Sequence, residues 1–148
     1  KKERRKAIRS AMSATIFKDI VKERGHKVPD NYPFIADDDF SALSKASEVR
    51  KALQVWGFTD ELRRSAIKKV RAGRGKSRGR KYKRRKGLLL VVDEKCPISK
   101  AARNIAGVDV TTVSHLGTNL LAPGGDAGRA TIFTKKAIEK LAKEKLYL

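Results

Sequence analysis

Several short stretches of this sequence bring together residue types that do chemistry. Gly75-Lys76-Ser77 matches the tail of a phosphate-binding loop, in which glycine amides cradle phosphates and the lysine reaches the terminal ones. That motif needs another glycine five residues before Gly75, where Val70 stands, and a buried strand ahead of it, where Ser65 to Val70 is polar and basic. Asp37, Asp38 and Asp39 follow a short apolar run, the place where open α/β sheets put ligands such as divalent ions. Consecutive carboxylates diverge, however, so capping and screening of the helix that follows is the expectation. His26 and His115 are too far apart to form a metal-ligand pair by spacing, and each reads as a surface or hydrogen-bonded histidine. Cys96 follows the most apolar segment, but a nucleophile there needs a base and a lowered pKa, which only a coincidence of the fold brings from His115. Pro123-Gly124-Gly125-Asp126-Ala127-Gly128-Arg129 lacks dinucleotide-fingerprint spacing and leads into a strand. It reads as a tight turn needing positive φ, or as a turn whose amides or Arg129 touch a phosphate. No catalytic residue, metal site or cofactor emerges, and no enzyme is expected.

The charge is a stronger signal. The 148 residues hold 36 Lys plus Arg against 16 Asp plus Glu, a formal +20, which points to a polyanionic partner. The signs are segregated along the chain. Residues 1–27 carry ten basic and three acidic groups, residues 28–62 three and seven, residues 63–87 fourteen and none, and residues 88–148 nine and six. The one Cys excludes an internal disulfide framework and fits a reducing compartment, the cytoplasm. The longest apolar run, Leu88 to Val92, falls far short of a membrane span, so no membrane is expected; with the enzyme motifs set aside, no small-molecule substrate is expected either.

The elements that must position these groups read as an α/β domain. Ile8, Met12, Ile16 and Ile20 recur at helical spacing, with Ala11, Ala14 and Val21 beside them, predicting one amphipathic helix that stops at Gly25. Pro33 to Ala36 reads as a short strand, and Leu43 to Trp56 as a helix region ended by Gly57. A second helix is expected from Thr59, as its cap, to about Val70. Leu88 to Val92 is apolar on both faces, as in a parallel sheet covered on both sides by helices. A helix over 99–106, strands over 108–114 and 130–133, and a closing helix capped by Thr134 complete the alternation. The expected architecture is a three-layer domain with a mostly parallel sheet flanked by helices, plus an irregular basic loop. Residues 1–148 are expected to form one domain, with the loop at 68–87 inserted in it.

That loop, KKVRAGRGKSRGRKYKRRK at 68–86, has no apolar periodicity and repels itself, so it is expected to order only on a partner. Closely alternating Arg and Gly let the backbone approach a phosphate chain while guanidinium forks grip its oxygens. Tyr82 is placed to stack on an unpaired base. No helix-turn-helix, zinc finger or basic heptad region is evident, which favours structured RNA over DNA. Contacts of this kind position a nucleic acid without reading its sequence. The expected RNA-binding residues are Lys1, Lys2, Arg4, Arg5, Lys68, Lys69, Arg71, Arg74, Lys76, Arg78, Arg80, Lys81, Tyr82, Lys83, Arg84, Arg85, Lys86 and Arg129.

RKAIRSAMSAT at 5–15, IADDDF at 35–40, VRAGRGKSRGRKYKRRKGLLLVV at 70–92, AARNIAGVDVTTVS at 101–114, LAPGG at 121–125 and GRATIFTKKAIEKL at 128–141 together resemble the uL4 (L4) family of large-subunit ribosomal proteins, in its archaeal and eukaryotic form. The resemblance spans nearly the whole chain. It implies a non-catalytic protein on large-subunit (23S-type) rRNA, touching neighbouring ribosomal proteins, in the cytoplasmic ribosome. It also implies that Arg71 to Arg85 belong to a basic internal loop lying against rRNA. Archaeal relatives begin with an N-terminal strand and a tunnel-reaching loop that are not in this sequence, so the chain is expected to be their globular part. The long C-terminal extension of eukaryotic relatives is also lacking, which favours an archaeal source. A nucleic-acid processing enzyme using Asp37 to Asp39 and a general DNA/RNA-binding protein, such as one that compacts DNA, stand as alternatives.

Overall fold

A computed structural model describes residues 1–147. Along the chain run α1 (Lys2–Ala14), α2 (Lys18–Glu23), β1 (Ile35–Ala36), α3 (Ala46–Val55), α4 (Thr59–Ala66), β2 (Lys68–Val70) and β3 (Tyr82–Arg84). They are followed by β4 (Leu89–Val92), α5 (Ile98–Ala101), β5 (Asp109–Thr112), α6 (Thr118–Leu121), β6 (Thr131–Thr134) and α7 (Lys135–Lys143). Four strands make the main sheet in the order β1-β6-β4-β5, with every neighbouring pair parallel.

The apolar run at 88–92 explains the layering. Side chains of a strand alternate between faces. Leu88, Leu90 and Val92 join one core cluster with Val21, Phe40, Val49, Leu53, Phe58 and Ile98. Leu89 and Val91 join the other, with Ile8, Ala11, Leu121 and Ala137. Helices α2, α3 and α5 therefore cover one face and α1, α6 and α7 the other, the three-layer arrangement expected from a strand with no polar side. All five residues are buried, each worth roughly 1.5–3 kcal/mol against exposure.

Several boundaries differ from the sequence reading, each for a local reason. The single helix expected up to Gly25 is broken at Thr15–Phe17. The Thr15 hydroxyl and N–H both donate to the Met12 carbonyl, at 2.7 and 3.0 Å, and Phe17 then turns extended. The apolar stripe does not run on across the break: Ile16 and Phe17 are 57 % and 59 % exposed. Helix α4 stops at Ala66 instead of Val70, because Ile67 is extended and the next three residues enter a ladder. Its N-cap is Phe58, not Thr59. The expected strand at 33–36 pairs only over Ile35–Ala36. The helix expected over 99–106 is α5 running on into a 3-10 turn at Ala102–Asn104, and the strand after it ends at Thr112 in another at Val113–His115. Helix α6, one turn long, is too short to leave a periodic signature in sequence. Thr134 caps α7 as expected, its hydroxyl accepting from the Ala137 amide at 3.4 Å.

A parallel sheet has two unlike ends. Leu89, Asp109 and Thr131 are aligned at the amino end, and Val92 and Thr112 pair at the carboxyl end. The basic segment enters at the amino end, since it leads through Gly87 into β4. Helix α1 starts beside residues 114–116, beyond the carboxyl ends, and runs back toward the other end.

Candidate nucleic-acid interface

The basic segment is a hairpin. Strands β2 and β3 pair antiparallel, with Lys68 opposite Arg84, Lys69 opposite Lys83 and Val70 opposite Tyr82. Beyond them the Arg71 amide donates to Lys81 O at 2.7 Å, and Arg80 N to Gly75 O at 3.0 Å, closing the tip over a 3-10 turn at Arg74–Lys76. Every residue of both strands is exposed. The expectation of an irregular loop is corrected to that extent: backbone hydrogen bonds close a ladder without any apolar core. The ladder also sets like charges directly opposite one another, which is destabilising by itself. Lys68 Nζ lies 3.6 Å above the centre of the Tyr82 ring, a cation–π contact that relieves one of them. Tyr82 remains 45 % exposed.

None of the ion pairs among the described residues uses a cation between Lys68 and Arg85. Lys68, Lys69, Arg71, Arg74, Lys76, Arg78, Arg80, Lys81, Lys83, Arg84 and Arg85 are all exposed and lack a carboxylate partner. Lys69, Lys83, Arg84 and Arg85 also line a groove of about 550 Å³ between the hairpin and the turn at 123–126.

The root of the hairpin is built differently. Arg129, expected from sequence to meet a phosphate, is completely buried. Its guanidinium donates to Gly87 O (2.8 Å), Leu120 O (2.9 Å), Leu88 O (3.3 Å) and Asp109 Oδ2 (2.6 Å). It is a tie between the hairpin's exit, the sheet and α6, because a buried cation is retained only where carbonyls and a carboxylate replace its water. Lys86 Nζ donates to the same Asp109 oxygen at 3.0 Å, so it faces the root as well as solvent. Burial raises the Asp109 carboxyl pKa, but hydrogen bonds from Arg129 and Lys86 outweigh it and hold the group below its ordinary value.

A second tie uses residues that sequence reasoning did not single out for binding. Glu61 is fully buried; its oxygens accept from Arg64 Nε (2.8 Å), Arg64 Nη2 (2.6 Å) and the Lys27 amide (2.9 Å). Arg64 Nη2 also donates to Lys86 O at 2.7 Å, which occupies its second N–H. His26 Nδ1 therefore carries the proton it gives to Glu61 Oε1 at 2.7 Å. Burial pushes the Glu61 carboxyl up, and bonds from Arg64, His26 and Lys27 bring it net below its ordinary range. The i, i+3 spacing of Glu61 and Arg64 was the signal available in sequence. Gly107 completes the root at φ +80°: a Cβ there would lie 2.5 Å from Ser65 Cβ, while its carbonyl accepts the Gly87 amide at 2.9 Å.

The remaining candidates are separated from the hairpin. Gly124 and Gly125 take φ of +87° and +95°, the tight turn expected, and the Gly125 amide is used internally on Ala122 O. Arg24 holds that turn through Pro123 O at 2.6 Å and Ala127 O at 3.2 Å. Lys1, Arg4 and Arg5 line a hollow with Ser114, His115 and Tyr147 at the sheet's carboxyl end, away from the hairpin, and exposed Lys2 belongs to the same first turn. Asp37 precedes a 3-10 turn at Asp38–Ala42 without a side-chain cap bond; Asp38 and Asp39 lie in its first turn, and Asp38 Oδ1 also accepts the Lys136 amide of α7 at 3.4 Å. The Cys96 thiol donates to Glu94 O, and burial with Asp93 nearby pushes its pKa up, the reverse of an activated thiolate. No described helix is long and apolar enough to cross a membrane.

Comparison with known proteins gives the family. The model of the ribosomal protein L4/L1 family matches residues 1–144. A large ribosomal subunit protein uL4 from Methanococcoides burtonii is 51 % identical over 142 residues, covering 95 % of this chain and 56 % of that protein. The uL4 protein of Methanocaldococcus jannaschii is 48 % identical over 143 residues, with 95 % and 57 % covered. That of Methanosphaera stadtmanae is 47 % identical over 144 residues, with 95 % and 56 % covered. The chain thus spans a little over half the length of the curated relatives it matches.

Proposed function

Since the chain belongs to the ribosomal protein L4/L1 family, with archaeal uL4 proteins among its relatives, we propose that it is a structural, non-enzymatic constituent of the large ribosomal subunit that binds and organises large-subunit rRNA. Its place is then the cytoplasmic ribosome, with 23S-type rRNA and neighbouring ribosomal proteins as partners. Residues 1–148 act as one domain, and the hairpin between α4 and β4 is its principal RNA-binding element.

The observation that carries this reading is the row of cations from Lys68 to Arg85, exposed, without carboxylate partners, and mounted on a root whose own charges are internally satisfied. Such a hairpin is under self-repulsion until phosphates neutralise it, and rRNA supplies them densely. Guanidinium forks of Arg78, Arg80, Arg84 and Arg85 grip phosphate oxygens in pairs, the lysines add point charges, and Tyr82 stacks on an unpaired base. Lys1, Lys2, Arg4 and Arg5 contribute from the sheet's far end. Arg129 is withdrawn from the set and serves as the anchor. Because phosphate contacts position without specifying, recognition comes from the fit of a rigidly mounted hairpin to a folded RNA.

Equilibrium binding to a fragment from the 5′ region of large-subunit rRNA, competed with unrelated structured RNA and duplex DNA across a salt series, tests this. Preference for the rRNA fragment that persists near 200 mM salt is the expected result; six to ten phosphates engaged imply a loss of roughly 10³–10⁵ between 50 and 200 mM. Replacing Arg78, Arg80, Arg84 and Arg85 with Ala should make the salt slope shallower by roughly 3 to 4. Equal affinity for every competitor would reduce the protein to a general polyanion binder.

A further inference from the structure

The hairpin is not the only concentration of unpaired cations. At the opposite end of the sheet, a groove of about 940 Å³ runs along β5, lined by Lys95, Lys100, Arg103 and His115 together with Ser99 and Thr112. All three Lys and Arg side chains are exposed, and none takes part in the ion pairs among the described residues. The neighbouring Glu94 is turned away to Lys140 at 3.0 Å, leaving Asp93 as the carboxylate of that turn nearest the groove.

Strand β5 is the edge of the sheet. The Asp109 amide donates inward to Leu88 O at 3.0 Å, and alternation then turns the amides of Val110 and Thr112 outward to the open edge. The groove thus offers ammonium, guanidinium, hydroxyl and backbone N–H donors together. Its aliphatic lining is limited to Pro97 and Val110, with no aromatic anchor of the kind that dominates protein–protein contacts. His115, whose Nδ1 lies 2.9 Å from Thr112 Oγ1, also borders the hollow lined by Lys1 and Arg4, so the two depressions share it as a wall.

We propose that the carboxyl end of the sheet carries a second phosphate-binding surface, centred on Lys95, Lys100 and Arg103, which holds an RNA segment distinct from the one on the hairpin. The proposal rests on the RNA-binding reading above and adds to it a geometry: the domain is a bridge. The hairpin leaves from the amino ends of the strands, while the groove follows the β5 edge to their carboxyl ends. The 13 residues of α1, which run between those ends, measure about 20 Å. A duplex gripped at one end therefore leaves the other free for a second segment, and the protein fixes the distance between them.

The test uses the 148-residue chain and a short RNA duplex as probe. Sedimentation at low salt should count two duplexes per chain for the unaltered protein. It should count one for the Lys95→Ala, Lys100→Ala, Arg103→Ala triple variant, and one for the hairpin variant lacking Arg78, Arg80, Arg84 and Arg85. The triple variant should also bind the rRNA fragment with a salt slope shallower by roughly 2 to 3. A charge-retaining variant, Lys95→Arg with Lys100→Arg and Arg103→Lys, should restore both values, which separates lost charge from lost fold. If the triple variant keeps two duplexes and an unchanged slope, the second surface is refuted while the hairpin result still supports RNA binding. If it loses only binding to a poly-glutamate peptide, the groove serves an acidic protein partner and the RNA assignment is overturned. If neither variant alters RNA binding, the functional reading falls along with this one.

Discussion

The arm and the root of the hairpin are both rich in arginine and are adjacent in space, yet they use it in opposite ways. Arg64 and Arg129 have side chains 12 % and 0 % exposed, each bonded to a carboxylate and to backbone carbonyls. Arg78, Arg80, Arg84 and Arg85 stand in solvent with no acid in reach. The difference lies in what replaces water. At the root, protein oxygens do so permanently, so those cations are part of the fold. On the arm nothing in the chain does, so those cations remain available to a partner. A formal charge of +20 adds the two kinds together, and only the second kind is left without a partner inside the chain.

If this division holds, Arg129→Ala gives the largest effect on stability. It strips Asp109 of its buried partner and takes the guanidinium donor from the carbonyls of Gly87 and Leu120, while Leu88 O keeps the Asp109 amide, at a cost of about 3 to 5 kcal/mol. Denaturant unfolding measures it; a loss under 1 kcal/mol would break the distinction between root and arm. Acid comes next. Glu61 and Asp109 are both held below their ordinary pKa values in the folded chain. They therefore contribute stability that is complete at neutral pH and is lost as pH falls below about 5 and through their folded-state values. Glu61→Gln should flatten the acid limb of a stability–pH curve, and an unchanged limb would show that the buried Glu61 cluster is not what acid titrates. The smallest effect belongs to the arm. Arg80→Ala and Arg85→Ala should each change stability by no more than about 0.5 kcal/mol while weakening RNA binding. Thermal unfolding alongside a binding titration would sharpen the contrast, and a strongly destabilised arm variant would contradict it.

Much of the scaffold was legible from residues 88–92 alone, because a strand apolar on both faces demands cover on both. The stop at Gly57 and the cap at Thr134 were legible for similarly local reasons. The long first helix was not, because its apolar spacing continues through Thr15 while the break depends on a hydroxyl bonding back to Met12. Nor was the ladder at 68–84, since an exposed hairpin held by backbone bonds leaves no apolar pattern.

Sequence by itself pointed to a polyanionic partner and to the segment proposed to meet it, because the eleven cations from Lys68 to Arg85 have no acid among them. It also determined the parallel layered sheet, because burial on two faces is written into side-chain type. Which cations are internal was decided only in three dimensions. Arg129 meets Asp109 and Gly87 across 20 and 42 residues, and Arg64 meets the Lys86 carbonyl across 22. The tertiary structure also divided the basic residues between the two ends of the sheet: strand direction sets which chain segments share an end, and strand direction is fixed by how the strands pair.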